Sequence, residues 1–196
     1  MKDTKKDRII LFGWIRGGGD ISGWNGCLSL PRVLSLDEDE QLVVKLVPDL
    51  ELLRDEHLQF KDQTIKEEFS LLPEGRYAST LEIQTVIENI SSEGFYFKLY
   101  HQEKLEPQYS FGFDSHEKIF WVGKEKAKVD LLRPTTTVDL HLFIDHSIFE
   151  VFINNNLCIT GKISLQNEKG FFPIISSKSG QIRLGKMDVW TLKSIW

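Results

Sequence analysis

No apolar run in the 196-residue chain approaches the length of a membrane span. The longest, Ile9 to Ile15, covers about a third of the roughly 20 residues a transmembrane helix needs. The opening Met1 to Arg8 lacks the apolar core of a signal peptide, which points to a cytoplasmic protein. Cysteine is scarce. Cys27 and Cys158 have small or apolar neighbours and read as reduced, core-like thiols rather than a disulfide framework, with a single bridge between them left open. Positive charge is not in excess: the formal net charge is −5, and Lys and Arg do not cluster on one face. That argues against nucleic acid or anionic lipid as partners and favours a neutral substrate or a protein. Helical periodicity is also scarce, and no internal repeat of fixed period is present.

What remains is the composition of a globular protein, 41% hydrophobic and 27% charged, at the size of one domain with a small appendage. From about residue 76 onward, period-2 alternation predicts strand after strand. Leu81, Ile83, Thr85 and Ile87 fall on one side of a strand, with Glu82, Gln84 and Glu88 on the other. Further inward rows are Phe95, Phe97 and Leu99; Tyr109, Phe111 and Phe113; Ile119 and Trp121; Val138, Leu140, Leu142 and Ile144; and Phe149, Val151 and Ile153. Asn154-Asn155-Asn156 suits a tight hairpin, because Asn tolerates positive φ. Two more strands are predicted near 170–176 and 180–192. The pattern is that of an antiparallel β-sandwich.

The first sixty residues read differently. Strands are predicted over Arg8 to Ile15, Cys27 to Leu36 and Leu42 to Val47, with a glycine-rich break at Gly17-Gly18-Gly19, an acidic turn at Asp37 to Glu40, and a short helix from about Asp49 to Arg54. The glycine break is not a dinucleotide loop, since the third glycine is missing and no helix follows. Reactive constellations are weak throughout. Asp139, His141 and Asp145 share a face that Phe143 interrupts, which reads as a solvated or interface face rather than a metal site, and His146 falls on the opposite face from His141. Asn89-Ile90-Ser91 matches a glycosylation sequon, meaningful only in an exported protein. Most of the aromatic residues, 11% of the chain, lie on the inward parity of their strands and belong to the core; Trp14, Trp24, Trp190 and Trp196 are undetermined.

Two stretches go further. Ile-Leu-Phe-Gly-Trp-Ile at Ile10 to Ile15, the run Gly23 to Arg32 and the run Leu46 to Arg54 resemble the end of the catalytic propeller in glycoside hydrolase family 32, the invertases, levanases and inulinases. The run Asp139 to Asn154 and the closing Val189 to Trp196 resemble the C-terminal sandwich of the same β-fructosidases. The resemblance implies an all-β chain: a remnant of the last propeller blade over 1–48, a linker with a short helix over 49–60, and a concanavalin A-like antiparallel sandwich over 61–196. It also implies a site of contact rather than of chemistry. Trp14, Trp24, Pro31 and Arg32 match the part that completes the blade, and Leu50, Leu53 and Arg54 match the linker that docks the sandwich.

The family's nucleophile, stabilising aspartate and acid/base motifs find no match. Arg54-Asp55 is followed by Glu56 where the family has proline, and Cys27 and Cys158 follow Gly26 and Leu157 where it has glutamate. Retaining hydrolysis needs two carboxyl groups about 5–5.5 Å apart across the bond. No catalytic residue, cofactor or metal is therefore expected. The expected role is non-catalytic support of a propeller supplied by another chain, or self-association through front strands whose Ile10, Phe12 and Trp14 are left uncovered. The alternatives are a stand-alone module binding fructan or another glycan, and an inactive fragment.

Overall fold

The computed structural model describes residues 2–3, 8–16, 25–40, 42–88, 93–101, 106–123, 125–129, 137–155, 157–163 and 170–194. Gly17 to Gly19, Trp24, the sequon Asn89 to Ser91, Asn156 and Trp196 lie outside these residues. The chain divides between Leu53 and Arg54 into two units.

The front unit holds β1 (Lys2–Asp3), β2 (Arg8–Leu11), β3 (Trp14–Arg16), β4 (Gly26–Leu28), β5 (Arg32–Leu36) and β6 (Leu42–Leu46). Four of these form an antiparallel sheet in the order β1-β2-β5-β6, and β3 and β4 form a separate ribbon. The two long strands predicted here are each broken in two. At the break the Ser29 N–H donates to the Gly13 carbonyl and the Gly13 N–H to Ser29 Oγ, both at 2.8 Å, and Pro31 has no N–H to continue a ladder. The acidic turn joins β5 to β6 as predicted, with Glu40 at φ 60°. The predicted helix is a 3-10 helix, Pro48–Leu53.

The rear unit is the antiparallel sandwich. Its strands are β7 (Arg54–Ile65), β8 (Glu68–Ser70), β9 (Thr80–Glu88), β10 (Gly94–Tyr100), β11 (Tyr109–Asp114), β12 (Ile119–Val122), β13 (Glu125–Lys128), β14 (Val138–Asp145), β15 (Ile148–Ile153), β16 (Leu157–Lys162), β17 (Phe172–Ser177) and β18 (Ile182–Leu192). They make two six-stranded sheets, ordered β13-β12-β11-β10-β17-β8 and β16-β15-β14-β9-β18-β7. Residues 54–60, which the resemblance assigns to a linker, are the first half of β7 and pair with β18. Asn154 and Asn155 take φ of 51° and 58° in the β15–β16 turn, as Asn in a tight hairpin should.

The core lies between the sheets. Leu81, Ile83, Ile87 and Phe149 of one sheet and Phe95, Phe97, Phe111 and Phe113 of the other belong to one continuous apolar cluster. One predicted row is inverted. The structure buries Phe120 and Val122 and turns Ile119 and Trp121 outward. The run Ile119-Phe120-Trp121-Val122 is apolar throughout, so its parity is set by register: Phe120 lies opposite Phe113, Val122 opposite Phe111, and Trp121 opposite Gly112. The cysteines are also not core residues. Both are half-buried, and Cys158 faces outward with its Sγ 3.7 Å from Thr160 Oγ1.

Candidate functional site

Two rows of opposed residues cross the outer face of the second sheet. One reads Glu150, Phe143, Glu82, Trp190, His57; the next reads Phe152, His141, Gln84, Asp188, Gln59. Glu82 sits on the polar parity of β9 yet is only 1% exposed. Arg54 Nε and Nη2 donate to its two oxygens at 2.9 and 2.7 Å, and His141 Nε2 lies 2.8 Å from Oε1. The Arg54 guanidinium lies 4.0 Å above the Trp190 ring, and His57 stacks on the same ring at 4.8 Å. Asp188 is held by His57 at 2.8 Å, Gln59 at 2.7 Å and Lys186 at 2.6 Å. Arg54, read from the sequence as a docking residue, therefore belongs to the sandwich's own network.

This network contains two buried carboxylates, and its electrostatics decide whether either can do acid–base work. Burial pushes the Glu82 carboxyl upward in pKa, but the hydrogen bonds and charges of His141 and Arg54 outweigh it and hold the group below the usual range. Burial likewise raises Asp188, and Gln59, Lys186 and His57 more than offset it. A proton donor for glycoside cleavage needs the opposite shift. Both groups are thus held toward the anionic form by the partners that surround them.

The sign of the pH dependence follows. A carboxyl whose folded pKa lies below its unfolded value contributes stability that is present above the unfolded value, about 3.9 for Asp and 4.3 for Glu, and is lost as pH falls through the folded one. The melting temperature of the sandwich is expected to hold between neutrality and about pH 5 and to fall below it. Thermal melts of Glu82→Gln and Asp188→Asn should show a shallower acid limb; variants that track the parent down to low pH would remove this assignment.

The site residues predicted on the front unit are brought together only in part. Trp14 is 61% exposed and lies directly opposite Leu28, 60% exposed. Leu36 and Leu42 are likewise opposed, at 66% and 65%. Pro31 and Arg32 are half-buried, the Pro31 carbonyl accepting the Val47 N–H at 3.1 Å. Leu50 is buried and Leu53 half-buried in the 3-10 helix. Ile10, expected to be bare, is buried, and its neighbours Ile9 and Leu11 are the exposed ones.

Several residues of the network escape a sequence reading. Glu82 alternates with apolar neighbours and so looks solvated; its burial depends on Arg54, 28 positions away in sequence. The trio Asp139, His141 and Asp145 does not converge: His141 bonds Glu82, Asp139 accepts from Asn155 at 3.1 Å, and Asp145 bonds His146 at 2.8 Å. Among the described residues no group of three or more His, Cys, Asp or Glu could hold a metal ion, and no helix is long and apolar enough to cross a membrane.

Two antiparallel sheets enclosing an apolar core, preceded by a small sheet with bare apolar pairs, define the chain as an all-β sandwich module. The chain belongs to glycosyl hydrolase family 32: the model of the family's C-terminal domain, "Glycosyl hydrolases family 32 C terminal", matches residues 49–191. Among solved structures it is similar to fructan 1-exohydrolase IIa from Cichorium intybus, with 19% identity and a TM-score of 0.70 over 98% of this chain and 47% of that one. It is also similar to exo-inulinase from Aspergillus awamori, with 15% identity and a TM-score of 0.70 over 95% and 41%. For sucrose-6-phosphate hydrolase from Lactobacillus gasseri the figures are 15%, 0.68, 97% and 40%. The chain thus spans less than half the length of these structures.

Proposed function

We propose that this chain is the non-catalytic sandwich module of an enzyme that cleaves fructosyl linkages in sucrose or fructan, and that its front unit docks onto the propeller that carries the catalytic carboxylates. The observation that carries this reading is the bare apolar surface of the front unit, where Trp14 with Leu28 and Leu36 with Leu42 stand as exposed opposed pairs. Single exposed apolar residues are ordinary, but opposed pairs on short strands form patches that a partner covers. The enzymatic setting comes from the relatives, described as a fructan exohydrolase, an exo-inulinase and a sucrose-6-phosphate hydrolase.

The test is association with a recombinant family 32 propeller carrying the nucleophile motif, followed by light scattering. A complex is expected, with Leu36→Asp/Leu42→Asp weakening it at least about a hundredfold, since burying each large apolar side chain is worth about 1.5–3 kcal/mol. Self-association that the same substitutions abolish would replace the propeller with a second copy as the partner. A chain that stays monomeric and ignores the propeller would sink the reading. The isolated chain is expected to release no fructose from sucrose, inulin or levan, and measurable turnover would overturn its non-catalytic part.

A further inference from the structure

The four-stranded sheet of the front unit ends in an open edge at β6. The direction of its backbone groups follows from one hydrogen bond. The Val47 N–H donates to the Pro31 carbonyl, and bonded pairs alternate along an antiparallel ladder. Val43 and Lys45 therefore turn their N–H and C=O groups toward β5, where they lie opposite Ser35 and Val33. Leu42, Val44 and Leu46 turn theirs away from the sheet, on the side that has no neighbouring strand among the described residues. Native edges are ordinarily guarded by shortness, charge, proline or a bulge. Here β1 and β8 are two and three residues long, β13 reads Glu125-Lys126-Ala127-Lys128, and β7 is interrupted by Asp62 at φ 50°. Strand β6 has five residues in unbroken register, no proline, and Lys45 as its one charge.

The side chains of β6 match the same open side. Leu42, Val44 and Leu46 share one face of the sheet, on which Ile9, Leu34 and Val44 form a cross-strand row and Leu36 stands opposite Leu42. A second β6 laid antiparallel along the edge, centred on Val44, sets Val44 opposite Val44 and Leu42 opposite Leu46. These are the residues with outward N–H and C=O groups, so each opposed pair can exchange both bonds. The row Ile9, Leu34, Val44 then runs on into Val44, Leu34 and Ile9 of the other copy. Lys45, on the reverse face, lies opposite Val43 and meets no like charge directly across. We propose that β6 pairs with the β6 of a second copy of this chain across a two-fold axis at Val44, joining two four-stranded sheets into one. A sheet of that width is within the ordinary range, and a contact that is its own complement closes at two copies.

The whole chain is followed by sedimentation velocity over a concentration series, and a reversible dimer is expected. Val44→Pro removes the outward N–H without touching the ladder to β5, and should raise the dissociation constant at least about tenfold. Val44→Lys, which sets like charges face to face at the axis, is the second variant should the proline variant fold poorly. Leu11→Asp, on β2 and away from the edge, should leave the dimer unchanged. Register is checked by mixing Val43→Cys with Lys45→Cys under a mild oxidant. Opposed residues that exchange no bonds have Cα atoms about 4.5 Å apart, inside the disulfide range of about 4.4–6.8 Å, so the mixture should cross-link. Each variant alone should link no more than the parent chain, which controls for Cys27 and Cys158. A chain that is monomeric throughout the series, a dimer that both Val44 variants leave intact, or equal cross-linking of single and mixed variants would each overturn the proposal. The pairing does not rest on the docking reading: a chain that ignores the propeller should still dimerise, and a chain that binds the propeller but never pairs with itself overturns the pairing alone.

Discussion

Truncating Phe111 to alanine should destabilise the sandwich by about 3–5 kcal/mol, the cost of losing a fully buried aromatic ring and leaving a cavity. Phe111 is 1% exposed and its ring lies nearly parallel to two others, 5.0 Å from Phe97 and 6.4 Å from Phe149. Phe97 comes from the same sheet and Phe149 from the opposite one, so Phe111 is the middle ring of a stack that joins the layers. A rigid sandwich cannot close over the missing ring, because both neighbours are pinned by ladders on either side. Urea denaturation would measure the loss, and Phe111→Leu, which keeps much of the volume, should cost clearly less. A loss under about 1 kcal/mol for the alanine variant would mean the core collapses around the site.

Replacing Glu82 with alanine should cost about 3 kcal/mol, the low end of the range for removing one member of a buried ion pair. The low end applies because Arg54 keeps 21% of its side chain exposed and can recover some water, whereas Glu82 keeps 1%. Arg54→Ala should be at least as damaging, since it strands the more deeply buried partner and also removes the guanidinium from above Trp190. The double variant should cost less than the sum of the singles, by about 1–3 kcal/mol, which is the signature of groups that act as one unit. Strict additivity in denaturant titrations would show that the two side chains are merely neighbours.

Much of the sandwich was legible because its strands carry one polar and one apolar face. The rows from Leu81 to Ile87, Phe95 to Leu99 and Phe149 to Ile153 read correctly from alternation alone. Alternation failed where it was absent or diluted. Ile119 to Val122 has no polar residue to mark a face, so only the opposed Phe113 and Gly112 determine which side is buried. Strand β7 has apolar residues at Leu58, Phe60 and Ile65 among nine others, and Asp62 interrupts it at φ 50°, which hides a twelve-residue edge strand behind an apparent linker. The front unit was legible in outline, but not its break at Gly13 and Ser29, which depends on a pairing between residues 16 positions apart. The outer-face network was the least visible. It is assembled from residues on β7, β9, β14 and β18, and its meaning lies in which neighbours the register supplies.

Strand β18 follows the other strands of the sandwich in sequence, yet it lies inside its sheet, flanked by β9 on one side and β7 on the other. Without Ile182–Leu192, β7 and β9 have no common neighbour and the sheet is divided. The contacts that join the halves are remote in sequence, His57 and Asp188 being 131 positions apart, which predicts slow folding. Deleting this segment would not trim an edge but leave a split sheet with two raw seams, and the product should aggregate.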